Sequence, residues 1–288
     1  MEIANQSCFV FQTDSKIVQD VYRNQPNYLI EYNTQCTNKD YCAVYFCSND
    51  IYYPNTEEIF KKRIIEKNFF EWYGSRIKKA YKHIFIRDVF KQWYLAGINS
   101  NINTPEKLIE FLRKETEGYH TVMLGSSAGA YAAILYGSLL QTKKVIAFNP
   151  QYELKSLLNR SSEKINPLVF RLEKSGKNKY FDIIPFLNPH TDIYYFYSNG
   201  SQWDIEQHKH IADLKGIYQL PFKSAHHGIP FLKVALPVVL NLKDERLKKM
   251  QNHVQHPILF TIKMVGIWKT ILGIITQIYK AYQKRQYK

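Results

Sequence analysis

With 288 residues, 45% of them apolar and 22% charged, the chain is long enough to bury a sizeable core and too apolar to be a disordered segment. Its formal net charge is +14 and uneven: residues 243–288 hold ten Lys/Arg against two acids, a net of +8, which points to an anionic partner surface. The four cysteines, Cys8, Cys36, Cys42 and Cys47, include no C-x-x-C pair; no metal site is expected, and reduced buried thiols in a cytosolic protein are, since no secretory signal is visible in Met1–Phe11.

Strands are expected at Cys8–Thr13 and Tyr28–Asn33, with a helix over Ser15–Tyr22 between them. Cys42–Cys47 is a continuous apolar run, as in a strand buried on both faces. Asn55 with Glu58 suggests a capping box for a helix over Glu57–Glu66. His83–Val89 reads as a strand, and Thr104-Pro105 as the start of a helix over Glu106–Glu115. After a strand at Val122 and a helix over Ala130–Leu140 comes the strand Lys144–Phe148. Residues 151–190 are mixed and polar, and read as a lid-like excursion. The strand Ile193–Tyr197, a helix near Ile205–Leu214, the strand Gly216–Phe222 and a helix over Pro230–Leu242 complete the pattern. Strands alternating with helices predict an α/β fold, a mainly parallel sheet with helices on both faces. The division expected is a domain over residues 1–242 and a basic C-terminal appendage over 243–288.

The organising stretch is His120-Thr121-Val122-Met123-Leu124-Gly125-Ser126-Ser127-Ala128-Gly129-Ala130-Tyr131. It has the form strand, sharp turn, helix, and its turn matches G-x-S-x-G with Ser127 at the apex. Such a turn lifts a serine hydroxyl above the sheet edge and starts a helix behind it, whose free N–H groups face any oxyanion formed there. A serine hydroxyl needs a base, and the base an orienting acid. In a parallel sheet these groups lie in loops at the carboxyl ends of strands. The loop after Tyr197 holds Asp204, and the loop after Phe222 holds His226 and His227. Either histidine can serve as base; His227, next to Gly228, is favoured. Glu206 is the reserve acid. The oxyanion donors expected are the N–H of Ala128 and a group of Asn49 in the loop after Cys47.

Over roughly Cys42–Leu242 this pattern resembles the α/β-hydrolase fold. Within it, the chain resembles bacterial surface-polysaccharide O-acetyltransferases and related proteins of capsule and lipopolysaccharide gene clusters. The resemblance is carried by Leu124-Gly125-Ser126-Ser127-Ala128-Gly129, by Phe148-Asn149-Pro150-Gln151, and by the Asp204 and His227 loops. Asn49–Ile59 and Arg87–Asn99 are similar to uncharacterised relatives from such clusters. It departs at Ala130, where many relatives carry a second glycine. The resemblance implies acetyl transfer from acetyl-CoA to a glycan hydroxyl through an acetyl-Ser127 intermediate; transfer wins over hydrolysis only if the site excludes water, and the 151–190 excursion is the expected cover. An esterase or deacetylase would use the same three groups. A non-catalytic, membrane-associated binding protein is the other alternative. Nothing in the sequence sets an oligomeric state.

At the C-terminus, an amphipathic helix is expected over Phe260–Tyr279. Phe260, Met264, Ile267, Trp268, Ile271, Leu272, Ile274, Ile275 and Ile278 fall on one half of the helical wheel. Lys263, Gly266, Lys269, Thr270, Gly273, Gln277 and Lys280 fall on the other. Lysines interrupt the run, so it is not a spanning helix. Trp268, Lys263, Lys269 and Lys280 are candidate contacts with an anionic membrane through residues 260–288, which would place a cytoplasmic protein on the inner membrane face. The alternative is a helix docked on the domain or on a second subunit. No nucleic-acid motif is present, and no nucleic-acid partner is expected.

Overall fold

The computed structural model describes residues 9–286. Seven strands form one sheet: β1 (Tyr28–Tyr32), β2 (Tyr41–Phe46), β3 (Lys82–Ile86), β4 (His120–Ser126), β5 (Lys144–Phe148), β6 (Asp192–Ser198) and β7 (Ile217–Phe222). Their order is β1-β3-β2-β4-β5-β6-β7, and every pair is parallel except β1 with β3. The helices are α1 (Phe11–Asp14), α2 (Lys16–Asn24), α3 (Glu57–Phe60), α4 (Pro105–Thr116), α5 (Ala128–Leu139), α6 (Leu157–Arg160), α7 (Pro167–Lys174), α8 (Gln202–Lys209), α9 (Leu236–Val239), α10 (Asp244–Lys248), α11 (Pro257–Val265) and α12 (Ile267–Gln286).

Successive strand residues point to opposite faces, and the sheet feeds two cores. Val44, Ile84, Met123 and Val145 pack with Leu108 and Leu112 of α4 and with α5. Ala43, Phe85, Leu124 and Ile146 pack on the other face with Val18 and Val21 of α2, Trp72, Leu236 and Phe260. Helices on both faces of a mainly parallel sheet, with a strand–turn–helix elbow at its centre, make this an α/β-hydrolase-like fold.

Several elements differ from the sequence reading. Cys8 lies outside the described residues, and the rest of the strand expected at Cys8–Thr13 runs into α1, because the Asp14 carboxylate accepts the Val10 N–H at 2.8 Å and closes a helical turn. Thr56, not Asn55, caps α3: its hydroxyl accepts the Ile59 N–H, and the helix continues as a π-helix over Lys61–Glu66. The helix expected over Pro230–Leu242 breaks into a 3₁₀ turn, Lys233–Ala235, and α9, which has Pro237 in its first turn. The helix near Ile205–Leu214 starts earlier, at Gln202, because Ser201 caps it. The 151–190 segment is not a polar cover, since Tyr152, Leu154, Val169, Phe181 and Ile183 are core residues.

The C-terminal helix is two helices. Gly266, at φ 82°, breaks the run between α11 and α12. Phe260 is buried against Phe222 and Phe231, and Gln255 bridges to Phe222 at the end of β7. Among the described residues, no helix is long and apolar enough to cross a membrane.

Candidate active site

The site sits where β2, β4, β5, β6 and β7 end. Ser127 bridges β4 and α5 at φ 52° and ψ −121°, a strained conformation for a residue with a side chain. Its neighbours hold it there. The Ser127 N–H donates to the Phe148 carbonyl at 2.8 Å, and its carbonyl accepts the N–H groups of Ala130 (2.9 Å) and Tyr131 (3.0 Å). The two glycines of the motif face each other: a Cβ on Gly125 would lie 2.2 Å from the Gly129 carbonyl carbon, and one on Gly129 would lie 2.3 Å from the Phe46 carbonyl oxygen. That clearance seats α5 against the end of β2 and brings the following Ser48–Asp50 loop beside the elbow.

Ser127 Oγ is 2.9 Å from His227 Nε2, and His227 Nδ1 is 2.7 Å from Asp204 Oδ1. A carboxylate can only accept, so Nδ1 carries the proton and Nε2 presents its lone pair to the serine hydroxyl. The Asp204 side chain is 1% exposed, and its Oδ2 has no hydrogen-bond partner among the described residues. The carboxylate therefore has one strong partner, the imidazole. Asp204 lies in the first turn of α8 rather than in a loop.

His226 is not placed to act as base. Its ring is exposed on the cleft edge, and its carbonyl accepts from Ser198 Oγ at 2.6 Å. Glu206 is also elsewhere: it pairs with Arg160 and accepts from Gln202. The Ala128 N–H opens α5, and Asn49 lines the same cleft as Ser127. The N–H of Ser48 is taken by Glu71 Oε2 at 2.6 Å and that of Asp50 by Ser48 Oγ at 3.2 Å, so among the described residues the Asn49 N–H is the free one of this loop.

Three residues the sequence reading missed complete the site. Asn149, buried and at φ 43°, ties the histidine loop to the sheet. Its amide donates to the Gly228 carbonyl (2.6 Å) and Ser198 Oγ (3.1 Å), and its Oδ1 accepts the Ser198 N–H (2.8 Å). Trp203 stacks on the His227 ring at 4.8 Å and 25°. Glu71 stands across the cleft, where burial raises its pKa, and hydrogen bonds from Ser48 and then the charge of Lys233 partly oppose that rise. The cleft measures about 260 Å³ and is lined by the Ser48–Asp50 loop, Glu71, the elbow and residues 226–229, with Lys233. None of the described residues lining it comes from 151–190.

In sequence, the chain matches no protein-family model and no curated protein. In structure it is similar to a protein with unknown function from Staphylococcus aureus subsp. aureus Mu50, at 12% identity over 82% of this chain and 94% of that one, TM-score 0.43. It is also similar to the capsule O-acetyltransferase of Neisseria meningitidis serogroup A, at 13% identity over 65% and 78%, TM-score 0.43. Esterase B from Lactobacillus Rhamnosis is similar at 12% identity over 78% of each chain, TM-score 0.43. Likenesses this distant carry no argument about chemistry; the site stands on its own geometry.

Proposed function

We propose that this chain is a serine-dependent acyltransferase that forms an acyl-Ser127 intermediate, with acetyl-CoA as donor and a sugar hydroxyl of a bacterial surface polysaccharide, of capsule or lipopolysaccharide, as acceptor. The observation that carries the acyl-transfer chemistry is the continuous chain from Ser127 Oγ through His227 to Asp204. The donor and acceptor rest on the motif resemblance. His227 Nε2 takes the hydroxyl proton as Ser127 Oγ attacks the acyl carbonyl carbon. The N–H groups of Ala128 and Asn49 hold the resulting oxyanion. The imidazolium, steadied by Asp204, returns the proton to the departing group. An acceptor hydroxyl then repeats the sequence in reverse.

The second reading, ester hydrolysis of a glycan or lipid, is favoured by one observation. The 151–190 segment does not line the cleft, and the His227 side chain is 28% exposed, so water has access to the acyl-enzyme.

One incubation separates the two. The protein is given acetyl-CoA with and without a candidate glycan. Acetylated sugar supports the transferase; acetate released at the same rate without glycan supports the hydrolase. Ser127→Ala should lower either rate by about 10⁴–10⁶-fold and abolish labelling by a fluorophosphonate. Full activity in that variant would remove both readings.

A further inference from the structure

We infer that α12 binds the surface of an anionic lipid bilayer, with its apolar side already turned outward. This does not rest on the acyl-transfer reading. The helix meets the domain through its small residues. Thr270 is 2% exposed, and Gly273 lies against Val234, where a Cβ would come 2.8 Å from Val234 Cγ1. These are residues of the polar half of the helical wheel. The opposite side carries Trp268 at 80% exposure, Leu272 at 62%, Ile275 at 57%, Ile271 at 41% and Tyr282 at 61%. They recur at steps of three, four and seven residues, so they form one row along the helix. A water-soluble protein ordinarily docks an amphipathic helix the other way round, because each apolar side chain left in water forgoes about 1.5–3 kcal/mol of burial. A continuous row of this kind marks a surface with a partner.

Charge selects the partner. The segment 243–288 has a net charge of +8; Lys269 is exposed on α12 and Lys263 on α11, before the Gly266 break; the Lys280 side chain lies outside the described residues. A second copy would meet this face with the same face under two-fold symmetry and bring like charges together. An anionic bilayer supplies the opposite sign and an apolar layer at one surface, with tryptophan and tyrosine suited to the boundary between them.

The test uses the full chain with vesicles of phosphatidylcholine alone or mixed with phosphatidylglycerol, read by flotation and tryptophan emission. Trp72 and Trp93 are buried and Trp203 partly so, leaving Trp268 to report contact. Expected are binding at least about tenfold tighter to the anionic vesicles, a blue shift on binding and release by salt. The double variant Trp268→Ser, Leu272→Ser should lose both the binding and the shift while fluorophosphonate labelling and circular dichroism stay as in the parent. Absent binding, equal binding to both vesicle types, or binding that the double variant retains overturns the inference. So does a parent dimer in sedimentation that the variant dissolves while neither binds vesicles.

Discussion

Asp204 Oδ1 stands 2.7 Å from His227 Nδ1, and the two residues meet from the first turn of α8 and the loop after β7. Because the aspartate is buried and its other oxygen has no hydrogen-bond partner among the described residues, its charge is spent on holding one imidazole tautomer. Asp204→Asn keeps the shape and lets the ring flip to the tautomer that donates to Ser127. Turnover of a chromogenic acetyl ester should fall by about 10³–10⁴-fold, with the far-ultraviolet spectrum unchanged. A loss smaller than tenfold would show that the carboxylate does not orient the base.

The Asn149 side chain makes four hydrogen bonds, two with Ser198 of β6 and two to the His226 and Gly228 carbonyls of the loop that carries His227. Asn149→Ala leaves the Ser198 N–H and the Gly228 carbonyl without their partner and puts alanine at a positive φ. We expect a loss of about 2–4 kcal/mol in urea unfolding, together with a lower kcat. Asn149→Asp keeps the acceptor for Ser198 but turns a carboxylate towards two carbonyl groups. It should therefore lose kcat as well. A variant with unchanged kcat would mean the loop is held by other contacts.

Gly129→Ala places a methyl group 2.3 Å from the Phe46 carbonyl oxygen. Neither partner is a flexible side-chain end, so α5 must move off β2. The expected cost is about 4 kcal/mol or more, read as insoluble expression or a Tm lowered by many degrees. Gly176→Ala meets no atom within 4 Å but sits at φ 68°, so it should cost only about 1 kcal/mol. The pair separates steric clash from backbone strain.

Lys91 is buried, with its ammonium over the Tyr52 ring at 4.6 Å and bonded to Asn55. Burial pushes its pKa down to about 8 from 10.5. Between those values the unfolded chain holds a proton that the folded chain has released, so this group makes stability rise with pH across that window. In urea melts, the stability of the parent relative to Lys91→Met should rise by about 2–3 kcal/mol from neutral pH to about pH 10. A difference that stays flat would show the lysine to be uncharged or solvated throughout.

A mainly parallel sheet with helices on both faces is legible in the sequence because strand alternation is a local signal, and Ser127 and His227 are legible because functional loops gather at one strand end. Composition makes Asp204 a loop residue, and the structure seats it in α8, because Ser201, which equally suits a loop, caps that helix. In the sequence Asn149 reads only as the residue after a strand. Its work is done on residues 49 and 79 positions away, and no local pattern reports such a link. A single wheel over Phe260–Tyr279 fails at Gly266, so Phe260 is buried on α11 while Trp268 of the same half is exposed on α12; which side of α12 faces the domain is decided by clearance at Gly273, which composition does not reveal. The break at Gly266 was visible as a glycine in a helical run and was read through.

The short turn Lys233–Ala235 has a consequence of its own. Lys233 borders the cleft, and the next residue, Val234, is the seat on which Gly273 rests. One peptide bond thus separates the wall of the reaction chamber from the footing of the outermost helix. The anchor of that helix and the charged rim of the cleft are neighbours along one short turn, with no core residue between them in the chain.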